Sequence, residues 1–290
     1  MTSSTLLFKP IKLALLASVA LLTSACSPAR LLNSLVPESG YQLQTNVAYG
    51  QSARQKLDIY TPKTVSNTPR KVVIFFYGGS WDSGEKADYK FVGEALSSQG
   101  FIVVIPDYRV YPEVLFPGFM ADPASAAKWV KANIQSFGGN VNKVFLTGHS
   151  AGAHLAVMLA VNPEYLAKES LKPAEFAGVI GLAGPYDFLP LLADRLKIIF
   201  GPEDGRWKSQ PINFVDGKNP PMLLGVGRKD VTVAPYNTDH IAKKIKDKKG
   251  VVEVIEFADY SHIDMVAKLA RPIRGDGQLL KTIVTFLNAH

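Results

Sequence analysis

The most informative part of the sequence is Val144-Phe-Leu-Thr-Gly148-His-Ser150-Ala-Gly152, which continues as Ala153-His-Leu-Ala-Val-Met-Leu-Ala160. The short apolar run before Gly148 predicts a strand, and the longer apolar run after Gly152 predicts a helix. The Gly-x-Ser-x-Gly turn between them is typical of an elbow that exposes a reactive serine, because glycines leave room for the tight turn. Ser150 is therefore the candidate nucleophile, and an inert glycine turn is the alternative interpretation.

Short apolar runs alternate with helical patterns through most of the chain. A run that is apolar throughout suits a strand buried on both faces in a mostly parallel sheet. Between residues 121 and 137, apolar residues recur at three-to-four spacing, and Gly138-Gly139 predicts the end of that helix. The alternation predicts a doubly wound α/β fold with helices on both faces of the sheet. The predicted strands cover residues 72–76, 101–105, 144–146, 179–182, 222–226 and 251–257.

The segment from Leu189 to Pro211 interrupts this alternation. It is too apolar for an ordinary surface loop, since it contains three leucines, two isoleucines and a phenylalanine between residues 191 and 200. Two interpretations remain open at this point. The segment forms either a small cap over a pocket or an ordinary helix that covers the sheet.

A nucleophilic serine needs a histidine base, which follows it in the chain when the serine stands on such an elbow. His240 falls in a polar stretch that predicts a surface helix. His262 instead follows the predicted strand that ends at residue 257, where the carboxyl edge of a sheet positions a base. We therefore predict that His262 is the base, and that His149 and His154 pack within the elbow and the helix.

The predicted acid is Asp230, which lies at the tip of the loop after the strand at residues 222–226. In the order serine, acid, histidine, this loop is the one that brings a carboxylate to the imidazole. Asp259 and Asp264 are too near His262 in sequence to be its usual partner. The other carboxylates would need a different geometry, and they are Asp187, Asp216, Asp239 and Asp247.

Acyl transfer also needs hydrogen-bond donors for the developing oxyanion. We predict the backbone N–H of Ala151, directly after the serine, and those of Gly79 and Ser80 in the glycine-containing loop after an early strand. A phosphate-binding loop at residues 79–86 is the competing interpretation. It fails because the lysine, Lys86, comes one place late and no serine or threonine follows it.

Taken together, these motifs resemble the α/β-hydrolase carboxylesterases of the His-Gly-Gly-x-Trp group, which includes bacterial feruloyl-esterase-like proteins, arylformamidases and isoprenylcysteine methylesterases. The resemblance extends from about Gln55 to the C-terminus. It rests on Leu57-Asp-Ile-Tyr-Thr-Pro62, Gly78-Gly-Ser-Trp81, Asp107-Tyr-Arg-Val-Tyr-Pro112, the serine elbow, Gly184-Pro-Tyr-Asp187, Ser209-Gln-Pro-Ile-Asn213 and the loops that carry Asp230 and His262.

This resemblance implies an α/β-hydrolase fold and a cofactor-free serine hydrolase that cleaves a small carboxylic ester through an acyl-enzyme. Two alternatives stay open: an arylformamide or other amide hydrolase with the same triad, and a catalytically inactive hydrolase fold that serves as an envelope lipoprotein. Tyr77 stands where the motif of the group has a histidine that helps to hold the oxyanion loop through hydrogen bonds. A tyrosine hydroxyl is expected to take over part of that role.

The first 25 residues resemble a bacterial lipoprotein signal. They contain Lys9 and Lys12 but no acidic residue, then an apolar run at residues 13–22, which is about half the length that a bilayer-spanning helix needs. Ala25 and Cys26 follow, so the resemblance implies cleavage and lipidation at Cys26, and Ser27 favours sorting to the outer membrane, facing the periplasm. An ordinary signal followed by a buried free thiol is the alternative interpretation.

The chain of 290 residues is thus predicted to contain a signal peptide at 1–25, a tether or cap segment at 26–49 and a hydrolase domain at 50–290. Its 47% hydrophobic and 20% charged residues are typical of a globular protein. The net charge of +7 is scattered except for the lysines at residues 243–249, which have no aromatic residue among them, so nucleic-acid binding is not expected. The single cysteine excludes an internal disulfide, and no metal or cofactor is predicted. The oligomeric state stays open.

Overall fold

The structure is a computed structural model, and it describes residues 32–290. The signal peptide predicted for residues 1–25 and the candidate lipidation site Cys26 lie outside these residues. Within residues 32–290, no helix is both long enough and apolar enough to cross a membrane.

The strands of residues 32–290 form one mostly parallel sheet of eight strands in the order β1-β2-β4-β3-β5-β6-β7-β8. β1 and β2 form an antiparallel edge, and the pairs from β4 to β8 are parallel. The six strands predicted from apolar runs are confirmed as β3 to β8. The strands are β1 (Tyr41–Ala48), β2 (Lys56–Pro62), β3 (Arg70–Phe76), β4 (Ile102–Pro106), β5 (Gly139–His149), β6 (Gly178–Leu182), β7 (Met222–Gly227) and β8 (Val252–Phe257).

Helices pack against this sheet and complete the α/β architecture. The helix that begins directly after Ser150 packs on β3, β5 and β6, and the helix that follows β7 packs on β7 and β8. The helices are α1 (Lys90–Ser97), α2 (Ala121–Asn133), α3 (Ala151–Val161), α4 (Pro163–Ala167), α5 (Asp194–Ile199), α6 (Tyr236–Asp247), α7 (Asp264–Ala267) and α8 (Gln278–Ala289). Short 3₁₀ helices lie at Lys86–Tyr89, Gly118–Met120, Ile134–Phe137, Pro173–Glu175, Glu203–Ser209, Pro211–Phe214 and Arg271–Ile273.

β1 lies within residues 26–49, the segment predicted to be a tether or cap. Residues 41–48 instead pair with β2, so the sheet already begins at Tyr41. Tyr41 is buried, whereas every other residue of β1 is exposed or partly exposed. The strand therefore carries no apolar run, which is the signal that identified β3 to β8.

The segment from Leu189 to Pro211 forms α5 and a 3₁₀ helix, and it contributes to a cavity that also contains Ser150. Its buried Phe200 packs edge-on against Trp81, with 4.7 Å between the ring centroids. Leu191, Leu192 and Leu196 line the cavity. These contacts favour the cap interpretation over the sheet-covering alternative.

The sheet order places a crevice at the carboxyl ends of β3 and β5. β3 lies between β4 and β5, so the chain runs outward in one direction after β3 and in the other after β5. In an open α/β sheet, ligands bind at such a reversal. The loop after β3 carries Gly79, and the turn after β5 carries Ser150, so both meet at this crevice.

Candidate active site

Ser150 lies at the sharp turn between β5 and α3. Its backbone has φ 55° and ψ −124°, which is a sparsely populated conformation for a residue with a side chain. A Cβ atom added to Gly152 would lie 2.0 Å from the Phe76 carbonyl oxygen, and one added to Gly148 would lie 2.2 Å from the Gly152 carbonyl oxygen. The two glycines thus allow the strand and helix to approach closely, and they hold the serine in its strained position.

The three residues predicted as a triad come together at this turn. The Ser150 hydroxyl lies 2.9 Å from His262 Nε2, and His262 Nδ1 lies 2.8 Å from Asp230 Oδ2. Because an ionised carboxylate only accepts hydrogen bonds, Nδ1–H donates to Asp230 and Nε2 accepts from the serine hydroxyl. Both His262 and Asp230 are buried. This orientation leaves the lone pair of Nε2 directed at the serine proton.

Backbone hydrogen bonds fix the carboxylate of Asp230. Its Oδ1 accepts from the N–H groups of Thr232, at 2.9 Å, and Val233, at 2.8 Å, while Oδ2 faces the imidazole. The loops after β7 and β8 also touch, since the Lys229 N–H donates to the Tyr260 carbonyl at 3.1 Å. The acid and the base are therefore positioned by main-chain contacts between adjacent loops.

The remaining carboxylates that the sequence offered are paired elsewhere. Asp187 lies 2.7 Å from Nδ1 of His240, and both side chains are substantially exposed. Asp259 forms an exposed ion pair with Lys229 at 2.7 Å, and Asp264 accepts from Ser261 at 2.6 Å. The surface position predicted for His240 is confirmed, because it lies on α6 with about half of its side chain exposed.

Two further histidines flank the serine and are buried, as predicted. His149 Nε2 lies 2.9 Å from the carbonyl oxygen of His262, and His154 Nε2 lies 2.8 Å from that of Ser209. Burial lowers the pKa of His149 to about 3, with a smaller contribution from nearby His262, and lowers the pKa of His154 to about 4. Both rings are therefore neutral at neutral pH and donate from Nε2. The contact of His149 with the backbone of the candidate base is one that sequence reasoning missed.

The residues predicted to supply the oxyanion donors lie in two segments next to Ser150. Ala151 is the first residue of α3, so its N–H has no partner within the helix and lies at the positive end of the helix dipole. A Cβ atom added to Gly78 would lie 3.0 Å from Ser150 Cβ, which shows how closely the loop after β3 approaches the serine. Gly79 and Ser80 follow with φ of +136° and +52°, and Ser80 lines the same cavity as Ser150.

Tyr77 anchors this loop through hydrogen bonds of its hydroxyl group. Its hydroxyl donates to Asp107 Oδ1 at 2.8 Å and accepts from Arg54 Nη2 at 3.0 Å, and Arg54 Nη2 also donates to the Gly84 carbonyl at 2.6 Å. The Tyr108 hydroxyl donates to the Tyr77 carbonyl at 2.7 Å. Burial raises the pKa of the Tyr77 phenol far above its ordinary value, so the hydroxyl keeps its proton. These bonds connect both sides of the oxyanion loop to Arg54 and Asp107, which are partly buried.

The cavity beside Ser150 has a volume of about 350 Å³. Its polar lining consists of Ser80, Ser150, Thr232, Tyr236 and Asn237, and the other lining residues are apolar. Asn237 is already engaged, because its Oδ1 accepts from the backbone N–H groups of Tyr186 and Asp187. A ligand here would contact mainly apolar surface, with the serine and the loop N–H groups at one end.

Comparison with known families matches residues 57–245 to the BD-FAE model. The matched region runs from β2 to α6 and contains the oxyanion loop, Ser150 and Asp230. This chain belongs to the BD-FAE family. The resemblance predicted from the motifs is thereby confirmed, and the α/β-hydrolase fold is confirmed with it. His262 lies beyond the matched region, and its place in this BD-FAE protein comes from the geometry alone.

Individual relatives of this BD-FAE protein are named as hydrolases. It is 28% identical to a probable isoprenylcysteine alpha-carbonyl methylesterase of Arabidopsis thaliana, over 84% of this chain and 55% of the relative, and 25% identical to a kynurenine formamidase of Salmo salar, over 85% and 82%. The chain spans between 55% and 63% of the length of the first three curated relatives. Among solved structures, esterase B of Lactobacillus rhamnosis superposes with a TM-score of 0.76 at 22% identity, covering 96% of both chains, which shows the fold.

No cluster of three or more His, Cys, Asp or Glu side chains that could hold a metal ion occurs in the part of this BD-FAE protein that the structure describes. The titratable side chains at the site are Asp230 and His262, with His149 behind the base. In this arrangement the Ser150 hydroxyl can give its proton to Nε2 of His262, while Asp230 holds Nδ1 of the same ring.

Proposed function

We propose that this protein is a serine esterase that cleaves a small carboxylic ester through an acyl-enzyme. The observation that carries the proposal is the pair of contacts from Ser150 Oγ to His262 Nε2, at 2.9 Å, and from His262 Nδ1 to Asp230, at 2.8 Å. Membership of the BD-FAE family and the methylesterase name of one relative support it. The intact proton-transfer chain also argues against a catalytically inactive fold.

The proposed mechanism uses His262 first as a base, then as an acid, and then again as a base. His262 Nε2 takes the proton of Ser150, whose Oγ forms a bond to the ester carbonyl carbon. The resulting oxyanion accepts hydrogen bonds from the N–H groups of Ala151 and the loop at Gly79 and Ser80. His262 then gives its proton to the leaving alcohol as the carbon–oxygen bond breaks. Water, deprotonated by His262, attacks the acyl-serine, which releases the carboxylic acid and restores the hydroxyl.

An aryl formamide is the second candidate substrate. The observation that favours it is the similarity to a kynurenine formamidase, of which this chain covers 82%. The same triad would serve, with His262 protonating the leaving nitrogen instead of an oxygen. The two candidates therefore differ in the leaving group that the cavity accepts and not in the catalytic residues.

The test is a direct comparison of esters with an amide. The purified protein is expected to hydrolyse p-nitrophenyl acetate and butyrate with kcat/KM on the order of 10⁴ M⁻¹s⁻¹ or more, and an N-formyl arylamine more slowly. The reason is that p-nitrophenoxide leaves without being protonated, whereas the nitrogen of the amide must be protonated before it leaves. Faster turnover of the formamide would establish the second candidate, whereas the absence of turnover of any of these substrates would contradict both.

Anchoring to a bacterial membrane through Cys26 is a further part of the proposal. It is supported by the lysines, the apolar run and the Ala25-Cys26 pair at the start of the sequence. Burial of two or more acyl chains in a bilayer holds a protein far more firmly than burial of one. The active site would then face the periplasm from the outer membrane.

Substitution of Cys26 tests this anchoring. In a Gram-negative host, the wild-type protein is expected in the membrane fraction and labelled by an alkyne fatty acid, whereas Cys26→Ser loses the label and becomes soluble or retains residues 1–25. Ser27→Ala, at the neighbouring position, is the matched control and should keep the label. A soluble wild-type protein with an unmodified thiol would contradict the proposal.

A further inference from the structure

Two aliphatic side chains and the ring of a tyrosine, at the outer edge of the Ser150 cavity, face water. Leu192 is 86% exposed, Val231 is 98% exposed and Tyr236 is 45% exposed, yet each of them lines the same cavity as Ser150. We call these three the rim residues. They come from two separate parts of the chain, because Leu192 belongs to the cap and the other two lie in or directly after the loop that carries Asp230.

The exposure of Val231 is fixed by the catalytic geometry. Its neighbours on the C-terminal side, Thr232 and Val233, donate their N–H groups to Asp230 Oδ1 at 2.9 and 2.8 Å. Asp230 itself is buried against His262. The loop is thus tied down on both sides of Val231, which projects from a defined turn beside the acid.

The cavity that contains both Ser150 and the rim residues is lined mainly by apolar side chains. The rest of the lining includes buried Trp81 and Leu191, together with Phe188 and Leu196. Among the described residues that line the cavity, none is Asp, Glu, Lys, Arg or His. Of the charged side chains in the adjoining segments, Arg195 and Asp82 neutralise each other in an ion pair of 2.9 Å. A charged group in the cavity would therefore lose water without gaining a counter-ion.

A hydrocarbon chain attached to the ester matches this surface. Removing apolar surface from water is favourable in proportion to its area, and a chain lying from Ser150 to the rim would cover the side chains of Leu192 and Val231. A short acyl group such as acetyl fills only the inner end of the cavity. The rim would gain nothing from it, since its side chains would stay in water.

We infer that the rim residues bind the hydrocarbon chain of the substrate, and that the preferred esters carry a linear apolar chain longer than butyryl. The inference rests on the proposed esterase function and deepens it. The hydrocarbon chain of the ester belongs either to its acyl group or to its alcohol. In both cases the rim residues would contact the same kind of apolar surface. Leu192 and Val231 then determine specificity for chain length.

Two series of substrates test this inference: p-nitrophenyl esters from acetate to decanoate, and acetates of linear alcohols of the same lengths. Each is assayed below and above its critical micelle concentration, and kcat/KM is taken from the lower range. Each methylene buried on the rim is expected to raise kcat/KM by about fourfold in one of the two series. In the double variant Leu192→Ser with Val231→Ser, the ratio of kcat/KM for the octyl-length to the butyl-length substrate should fall by about tenfold or more.

Val65→Ser is the matched control, because Val65 is 93% exposed in the loop between β2 and β3 and does not line the cavity. It should keep the wild-type ratio. An unchanged ratio in the double variant would overturn the inference, as would a flat or falling wild-type profile in both series. A rise confined to concentrations above the micellar threshold would also overturn it and would indicate docking on a lipid surface. Good turnover of acetate with no chain dependence contradicts the rim inference alone, whereas no turnover of any ester contradicts the esterase proposal itself.

Discussion

Replacement of Ser150 by alanine is expected to lower kcat for p-nitrophenyl butyrate by on the order of 10⁴-fold or more. The substitution deletes the oxygen atom that forms the acyl bond, and it leaves His262 and Asp230 in place. Rates measured with the purified variant should approach those of the uncatalysed reaction. Reaction with a fluorophosphonate, which labels activated serines, should disappear at the same time.

The fold of this variant should be intact. Within residues 32–290, the hydroxyl of Ser150 makes one hydrogen bond, to His262 Nε2. Circular dichroism and thermal unfolding are therefore expected to match the wild type closely. Ser136→Ala is a matched control, since Ser136 is exposed in the 3₁₀ helix before β5, at the opposite end of that strand. Persistent fluorophosphonate labelling of Ser150→Ala would mean that another residue is the nucleophile.

Much of this site could be predicted because its signals are local. A tight turn needs glycines at fixed distances from the serine, so Gly148 and Gly152 identified the elbow directly. Buried parallel strands need apolar side chains on both faces, so their runs were visible in the sequence. The loops after β7 and β8 then contained Asp230 and His262, and the order of strands in the sheet brought them to one edge.

Other features depend on contacts between distant parts of the chain and leave no local signal. The bond from His149 to the His262 carbonyl joins residues 113 positions apart, and the contact between Arg54 and Tyr77 depends on how β2 and β3 are placed. β1 was missed for a different reason, because an edge strand with a single buried residue shows no apolar run. Sequence patterns reflect burial and turns, which are local. These interactions depend on how whole helices and strands pack together.

Asp230 and His262 should behave as one catalytic unit. Asp230→Asn is expected to lower kcat by on the order of 10⁴-fold, because an amide facing Nδ1 no longer enforces the tautomer in which Nε2 accepts the serine proton. His262→Ala removes the acceptor itself and should cost at least as much. The double variant should lose little more than the worse single variant, since neither residue can act without the other.

Acid pH should destabilise the fold through His149 and His154. Burial lowers their pKa values to about 3 and about 4, so both rings stay neutral in the folded protein until the pH falls to those values. Unfolding releases both rings to their ordinary pKa of about 6.5, so the free energy of unfolding falls as the pH drops below that value. Thermal unfolding measured from neutral pH down to about pH 5 checks this, and an unchanged Tm over that range would contradict it.

A second aspartate–histidine pair in the same molecule provides the control for the single and double variants of Asp230 and His262. Asp187 lies 2.7 Å from His240 Nδ1, which is as close as Asp230 lies to His262, but this pair is exposed and takes no part in the contacts of Ser150. Asp187→Asn and His240→Ala should therefore change kcat by less than about threefold, in keeping with the small effect of most exposed ion pairs. If Asp230→Asn instead retains nearly wild-type turnover while Asp187→Asn loses it, the acid of the triad is Asp187 and the buried pair has a structural role. If both retain turnover, Asp259 becomes the next carboxylate to replace, because it lies on the same loop as His262.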